Sequence, residues 1–389
     1  AKDINLIGLS PADSNPSGFF TIVNPGATGD SGNVNITTDN LTISEGAQIA
    51  VSTGGSGSAG NLIVTASDSV ELVGNAIESG GGSSGLFSNA VFGSGNGGNI
   101  DLTTDKLTIQ DGATISASNF LSGNADVPPG TGKAWNININ AENIKLDGID
   151  ADTPASITAS TFAGGGGNII LKSNTVTATN GSQVTAETSG KGAGGAIQVN
   201  TDNLTINSDA IFSSSTIAQG DAGTISVISK SLDISDRGTL ATSSTGTGQA
   251  GNIAIASNSL TLDEGNITAA STKTGGGDIN LVTDSLFLDR NSLITTSVED
   301  STGGGGNIFI DNSGFIIGQN NSRIKADAFL GPGGNIQINS TGIFFDTELN
   351  RAITASSKFG VDGVVEINNT ESDKKLGTVQ LPNKISTPE

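Results

Sequence analysis

Two carboxylate pairs, Asp284 with Asp311 and Asp346 with Glu348, are the residues whose type and spacing best suit chemistry. Glycoside hydrolysis needs two carboxylates facing one cleft. On a chain with 38 acids against 17 bases, however, such pairs arise by chance. Lyase chemistry needs a base and charge-neutralising cations. With only Arg237, Arg290, Arg323 and Arg351 as arginines, and no His or Tyr, that set is hard to assemble. Carbohydrate sites favour stacked aromatics, and the one Trp, Trp135, follows a Pro-Pro segment, where packing against that loop is the simpler role. Gly275-Gly276-Gly277-Asp278 is a single near miss to the calcium-binding nonapeptide, which works only in repeats. Acid-rich turns can still bind Ca²⁺ weakly through carboxylate and carbonyl oxygens, but no metal site is assigned. The expectation is a non-enzyme without a cofactor; the rival reading is a polysaccharide lyase or hydrolase, or a carbohydrate-binding module.

The net charge of −21 excludes a general nucleic-acid binder, which needs a basic stripe, and disfavours an anionic lipid surface. It suits a long β protein that must stay dispersed. The absence of Cys removes a disulfide framework and a thiolate metal site, and fits a chain exported unfolded. No run approaches the roughly 20 apolar residues of a membrane span. No signal peptide is visible, so Ala1 reads as a mature or trimmed terminus of a secreted protein.

The elements that would position these residues come from a repeat. The phrase Gly-Asn-Ile, followed by apolar alternation, centres on Asn33, Asn61, Asn99, Asn136, Asn168, Ala196, Thr224, Asn252, Asp278, Asn307, Asn335 and Val364. Most of the steps lie near 28 residues, the period of a solenoid. In one unit, Ile253 and Ile255, Leu260 and Leu262, and Ile267 and Ala269 form three short period-two runs separated by Asn258 and Gly265. Three strands and three turns make one coil of a parallel β-helix. Twelve coils stacked at about 4.8 Å give a rod of about 55–60 Å. Asn33, Asn61, Asn99, Asn136, Asn168, Asn252, Asn307 and Asn335 imply a ladder of stacked amides, each bonding to the coil above and below. A second column, Asp39, Asp105, Asp202 and Asp284, reads as Asx-turns at another corner.

Residues 4–50 match residues 70–116 at an offset of 66, so the larger repeat is two coils, one with an insertion. Ser17-Gly18-Phe19-Phe20 aligns with Ser84-Gly85-Leu86-Phe87 inside that insertion. The expected organisation is one β-helix over 1–367, with surface loops near 10–30, 75–97, 119–134 and 147–156, and a tail or cap over 368–389. The loops are the expected recognition surface. Ile4, Leu6 and Ile7 match the second strand of a coil, so the chain begins in mid-coil and exposes an edge. Two explanations stay open: a piece of a longer exoprotein, or a subunit that another copy completes head to tail into a filament.

The Gly-Asn-Ile-x-Ile phrases resemble the repeat region of filamentous-haemagglutinin-like exoproteins of two-partner secretion, in the form common in cyanobacteria. So do the Leu-Thr-Ile-x-x-Gly-Ala-x-Ile runs from Leu41 to Ile49 and Leu107 to Ile115, the Ser-Gly-Leu-Phe segment, and Phe359 to Ile367. The resemblance covers nearly the whole chain. It implies a right-handed parallel β-helix, export through an outer-membrane transporter, and a rod-like adhesin at the cell surface or in the extracellular matrix, touching glycans or cells. The family's secretion domain with its Asn-Pro-Asn motif is not here; Asn15-Pro16-Ser17 is a Pro turn. The family is also linked to haem, but without His, Cys, Met or Tyr this chain has no common axial ligand, and haem is rejected.

Circular dichroism should give a β spectrum without the helical double minimum; more than marginal helix would contradict the periodic reading.

Overall fold

The computed structural model describes residues 1–10, 12, 15–77, 81–91, 93–119, 131–162, 164–299 and 302–369. The chain is a parallel β-helix. Its strands fall into a 15-stranded sheet, the long sheet, and a 12-stranded sheet, the short sheet. In both, each strand pairs in parallel with the equivalent strand one coil away, giving about twelve coils. The described helix is one turn, Leu349–Ala352.

The coil departs from three equal strands. The first two expected runs are continuous in most coils, as in Ile253–Asp263 and Ile279–Asp289. They form two arms of one strand that bends without leaving the ladder. A small hydroxyl side chain makes the bend. Thr38, Ser173, Thr201 and Ser257 each donate to the carbonyl two residues on, at 3.0, 2.7, 3.2 and 2.9 Å. Near the C-terminal end the arms separate, as Ile308–Asn312 and Phe315–Gly318, then Ile336–Ser340 and Gly342–Phe345.

The short sheet corrects the loop assignments. Gly18–Val23 lies within 10–30 and Gly85–Phe87 within 75–97, and both are strands of the short sheet. Phe19 is in register with Ile49, and Ile49 with Leu86. The glycine-rich flanks hid them, because a three-residue strand shows one inward side chain and no alternation. That side chain, Leu86, is fully buried. Residues 148–155 connect strands Ile137–Asp147 and Ser156–Thr158. Much of 119–134 and all of 370–389 lie outside the described residues. The last strand, Val365–Asn369, takes the β-helix two residues past the expected boundary at 367.

Inward positions stack like on like. Ile197, Ile225, Ile253, Ile279, Ile308 and Ile336 form one column in direct register. Glycine supplies another. A Cβ on Gly195, Gly223, Gly251 or Gly277 would lie 1.9, 1.9, 1.7 or 1.8 Å from the carbonyl oxygen of the glycine one coil earlier. The Gly of Gly-Asn-Ile is therefore a closest-approach position between coils, not a flexible return.

Ile253→Ala should destabilise by about 2–5 kcal/mol through lost transfer and a cavity. Gly251→Ala should destabilise by about 1–3 kcal/mol or more, through enforced displacement of a coil. Urea unfolding of both variants checks the ranking against an outward change such as Ala254→Ser, which should stay within about 0.5 kcal/mol.

Candidate functional site

The asparagine column is a side-chain-to-backbone ladder. Asn33 Oδ1 accepts from the backbone N–H of Asn61 at 2.8 Å, Asn61 Oδ1 from Asn99 at 3.0 Å, and Asn99 Oδ1 from Asn136 at 3.2 Å. Asn136 Oδ1 accepts from Asn168 at 2.9 Å, and Asn168 Oδ1 from Ala196 at 2.8 Å. After Thr224, which has no amide, Asn252 Oδ1 accepts from Asp278 at 2.8 Å, Asn307 Oδ1 from Asn335 at 3.0 Å, and Asn335 Oδ1 from Val364 at 3.1 Å. Only an acceptor is required, which is why Asp278 serves, taking the Asn307 N–H at 2.8 Å. That bond is the structural use made of Asp278 in the Gly-Gly-Gly-Asp segment. The ladder is half-exposed or exposed along its length, not a buried amide stack.

A second ladder, unread in the sequence, follows the short strands. Asn89 Oδ1 accepts from the Ser118 N–H at 2.9 Å, Ser118 Oγ from Ser160 at 3.2 Å, and Ser160 Oγ from Glu187 at 3.2 Å. Ser215, Ser297 and Asp327 repeat it toward Ser243, Asp327 and Ser356 at 3.0, 3.1 and 2.9 Å. Its signal was a Ser recurring at the coil period, masked by the abundance of Ser. Burial holds the Glu187 carboxyl above its ordinary range, and a hydrogen bond from Ser213 offsets part of that shift.

The carboxylate pairs are engaged separately. Asp284 and Asp311 lie on opposite arms of the bend one coil apart, since Asp311 is in register with Val282. Asp284 accepts from Asn258 Nδ2 at 2.6 Å and Ser313 Oγ at 2.8 Å, which hold its carboxyl below the usual range. Asp346 accepts from the Asn320 N–H at 2.6 Å, and Glu348 pairs with Arg351 at 3.5 Å. At Asp39 and Asp202 the corner is closed not by the Asp but by the preceding hydroxyl residue, Thr38 and Thr201. Instead Asp39 accepts from Ser67 Oγ at 3.0 Å, and Asp202 meets Lys230 at 2.9 Å across coils.

The arginines brace turns. Arg237 grips Asp209 and Arg290 grips Asp263, each through two nitrogens, and Arg290 also reaches Asp236 at 3.2 Å. Asp209, Asp236, Arg237 and Arg290 all have positive φ, 62°, 45°, 66° and 48°, so these exposed ion pairs align on left-handed turn positions. Trp135 stands in the glycine column, 38% exposed; residues 120–130 of the adjoining insertion lie outside the described residues. Ile4 and Leu6 pack against the end of the core in register with Leu41 and Ile43, while Ile7 points outward, 58% exposed.

Concave surfaces lie on both sheets. The outer side of the bend is a furrow running across coils. A 540 Å³ section lies between Thr65 and Asn200, and a 280 Å³ section continues from Ile228 to Asp284. A more apolar cleft of 410 Å³ lies over the short sheet of the first coils, between Phe20, Ile22, Pro25, Phe87 and Val91. Among the described residues no three His, Cys, Asp or Glu come together as a metal cage, and no helix is long and apolar enough to cross a membrane.

Asn252→Ala should destabilise by about 0.5–1.5 kcal/mol, the net worth of one hydrogen bond; a silent change in urea unfolding would remove the ladder's role. Glu187→Gln should stabilise the protein at neutral pH. The penalty builds as pH rises from the ordinary Glu pKa of about 4.3 to the raised value and is complete above it, so the gain should vanish below about pH 4. Melting of both forms across pH checks the sign.

Comparison with protein-family models, with curated proteins and with solved structures returns no match to this chain.

Proposed function

We propose that this chain is a secreted, rod-like structural protein of the cell surface or extracellular matrix, acting as an adhesin toward glycans or cells. The observation that carries the reading is the continuous parallel strand pairing through about twelve coils, in both sheets at once. A single hydrogen-bonded stack about 55–60 Å long is stiff along its axis. Such an element suits spacing and display, with outward positions free to vary. The acidic charge and the absence of cysteine fit an exported, dispersed chain. The likeness of its repeat phrases to filamentous-haemagglutinin-like exoproteins points the same way, and with it export through an outer-membrane transporter.

Assembly of copies head to tail into filaments belongs to this reading. At one end of the stack lie Asp3–Ile7, in the phase of a second arm, and Gly18–Val23 of the short sheet. Among the described residues the final strand, Val365–Asn369, is in the phase of a first arm. A contact between copies that repeats along the axis propagates without closing.

Negative-stain imaging should show straight rods of about 55–60 Å or multiples of that length. Flexible or rounded particles would overturn the rod. Lengths that grow with concentration, and that shorten to one unit when residues 1–9 are deleted, are the outcome for filaments. Rods of one length at every concentration would overturn assembly.

A further inference from the structure

The bend furrow follows the rod axis, but its 540 Å³ section over the coils from Thr65 to Asn200 differs from the rest in three independent ways. The first is a bulge. Strand Leu62–Val73 has 12 residues where its neighbours Val34–Ser44 and Ile100–Gln110 have 11, and its register with both slips at the bend. The extra residue stands beside Ser67, on the furrow wall. Bulges re-aim side chains and concentrate next to sites.

The second is an orphaned hydroxyl. The bend residue is Ala in two of these coils, Ala66 and Ala141, so Thr104 has no hydroxyl beside it in register at Ala141. Thr104 is 5% exposed, its Oγ1 has no hydrogen-bond partner, and it lines the furrow. Elsewhere the equivalent hydroxyl closes onto a carbonyl, as in Thr38, Thr201 and Ser257.

The third is the lining. Asp105 and Glu142 accept, Lys172 donates, and Asn140, Asn174 and Asn200 do both. The two acids, on a chain of net charge −21, disfavour an anionic ligand. The lining holds no aromatic side chain, which disfavours an apolar ligand and means that a sugar here is held by hydrogen bonds at its edges rather than by ring stacking.

We infer that this furrow is a binding site for an extended, uncharged polysaccharide lying along the rod axis. Successive coils repeat their donors and acceptors at about 4.8 Å, close to the length of one pyranose residue in an extended chain. Four such steps span about 19 Å, room for four or five sugars. Polyhydroxyl ligands need paired donors and acceptors at every residue, which the mixed lining supplies. The inference rests on the adhesin reading and places glycan contact on the sheet rather than on the insertions.

Isothermal titration with cello-, xylo-, manno- and chitohexaose, and with the matching disaccharides, tests it on the full chain. At least one hexasaccharide should bind, with its disaccharide about tenfold weaker or more, a difference of about 1.4 kcal/mol. Asn140→Trp, which fills the furrow from an exposed position, and Glu142→Lys should each weaken binding by about tenfold or more. Both should leave melting temperature and rod images unchanged. Failure of all four hexasaccharides to bind tighter than about 1 mM, about −4.1 kcal/mol, would overturn the site, while rod images from the same preparation judge the structural reading separately. Binding unchanged in both furrow variants would equally overturn it.

Discussion

Everything in this molecule depends on one constraint: each coil must lie in hydrogen-bonding contact with the next at a fixed parallel strand spacing. A coil of about 28 residues contains strands too short to be stable alone. Its backbone N–H and C=O groups are satisfied mostly by its neighbours, so the cross-section must repeat. An inward Ile must meet another inward aliphatic side chain, and where the chain comes closest to itself there is space for no side chain. The columns Gly195, Gly223, Gly251 and Gly277, and Ile197, Ile225, Ile253 and Ile279, are two consequences of the same contact.

At the turns the strand ladder alone does not hold, because the backbone changes direction and some N–H groups face away from a carbonyl. Polar side chains take over. At two separate corners an oxygen one coil earlier accepts the backbone N–H, from Asn33 through Asn335 in one column and from Asn89 through Asp327 in the other. Asn, Ser and Asp are interchangeable there because the geometry asks only for a short side chain with an acceptor. The left-handed turns work differently. Asp209 with Arg237 and Asp263 with Arg290 join turn to turn by charge on the surface, where screening keeps each pair modest. Departures from the period sit at turns, because a turn can lengthen outward without disturbing the stacked strands.

The same geometry shapes the surface. Bending one strand into two arms through a hydroxyl residue folds the outer face into a furrow along the axis, and repetition extends that furrow over many coils. A polymer-shaped surface therefore follows from a polymer-like fold. The bulge in Leu62–Val73 and the alanines at 66 and 141 break the repetition locally and so mark one stretch of it.

The sequence by itself determined the architecture. The period, the apolar alternation and the Gly-Asn-Ile phrase fix a parallel solenoid of about twelve coils, because any other fold would leave such short apolar runs uncovered. The in-register pairing of Ile4 with Leu41 was legible in the 66-residue duplication. Tertiary structure alone decided what the polar residues do. Asn alternation looked like amide stacking, yet Asn252 reaches a backbone N–H; Asp202 looked like a turn-maker, yet Thr201 before it makes the turn. Gly85–Phe87 looked like loop and is strand. The reason is common to all three. A periodic pattern records which side of the chain faces inward, because burial is a property of each residue. A hydrogen bond belongs to two atoms one coil apart, and which pair forms is set only when the coils are stacked.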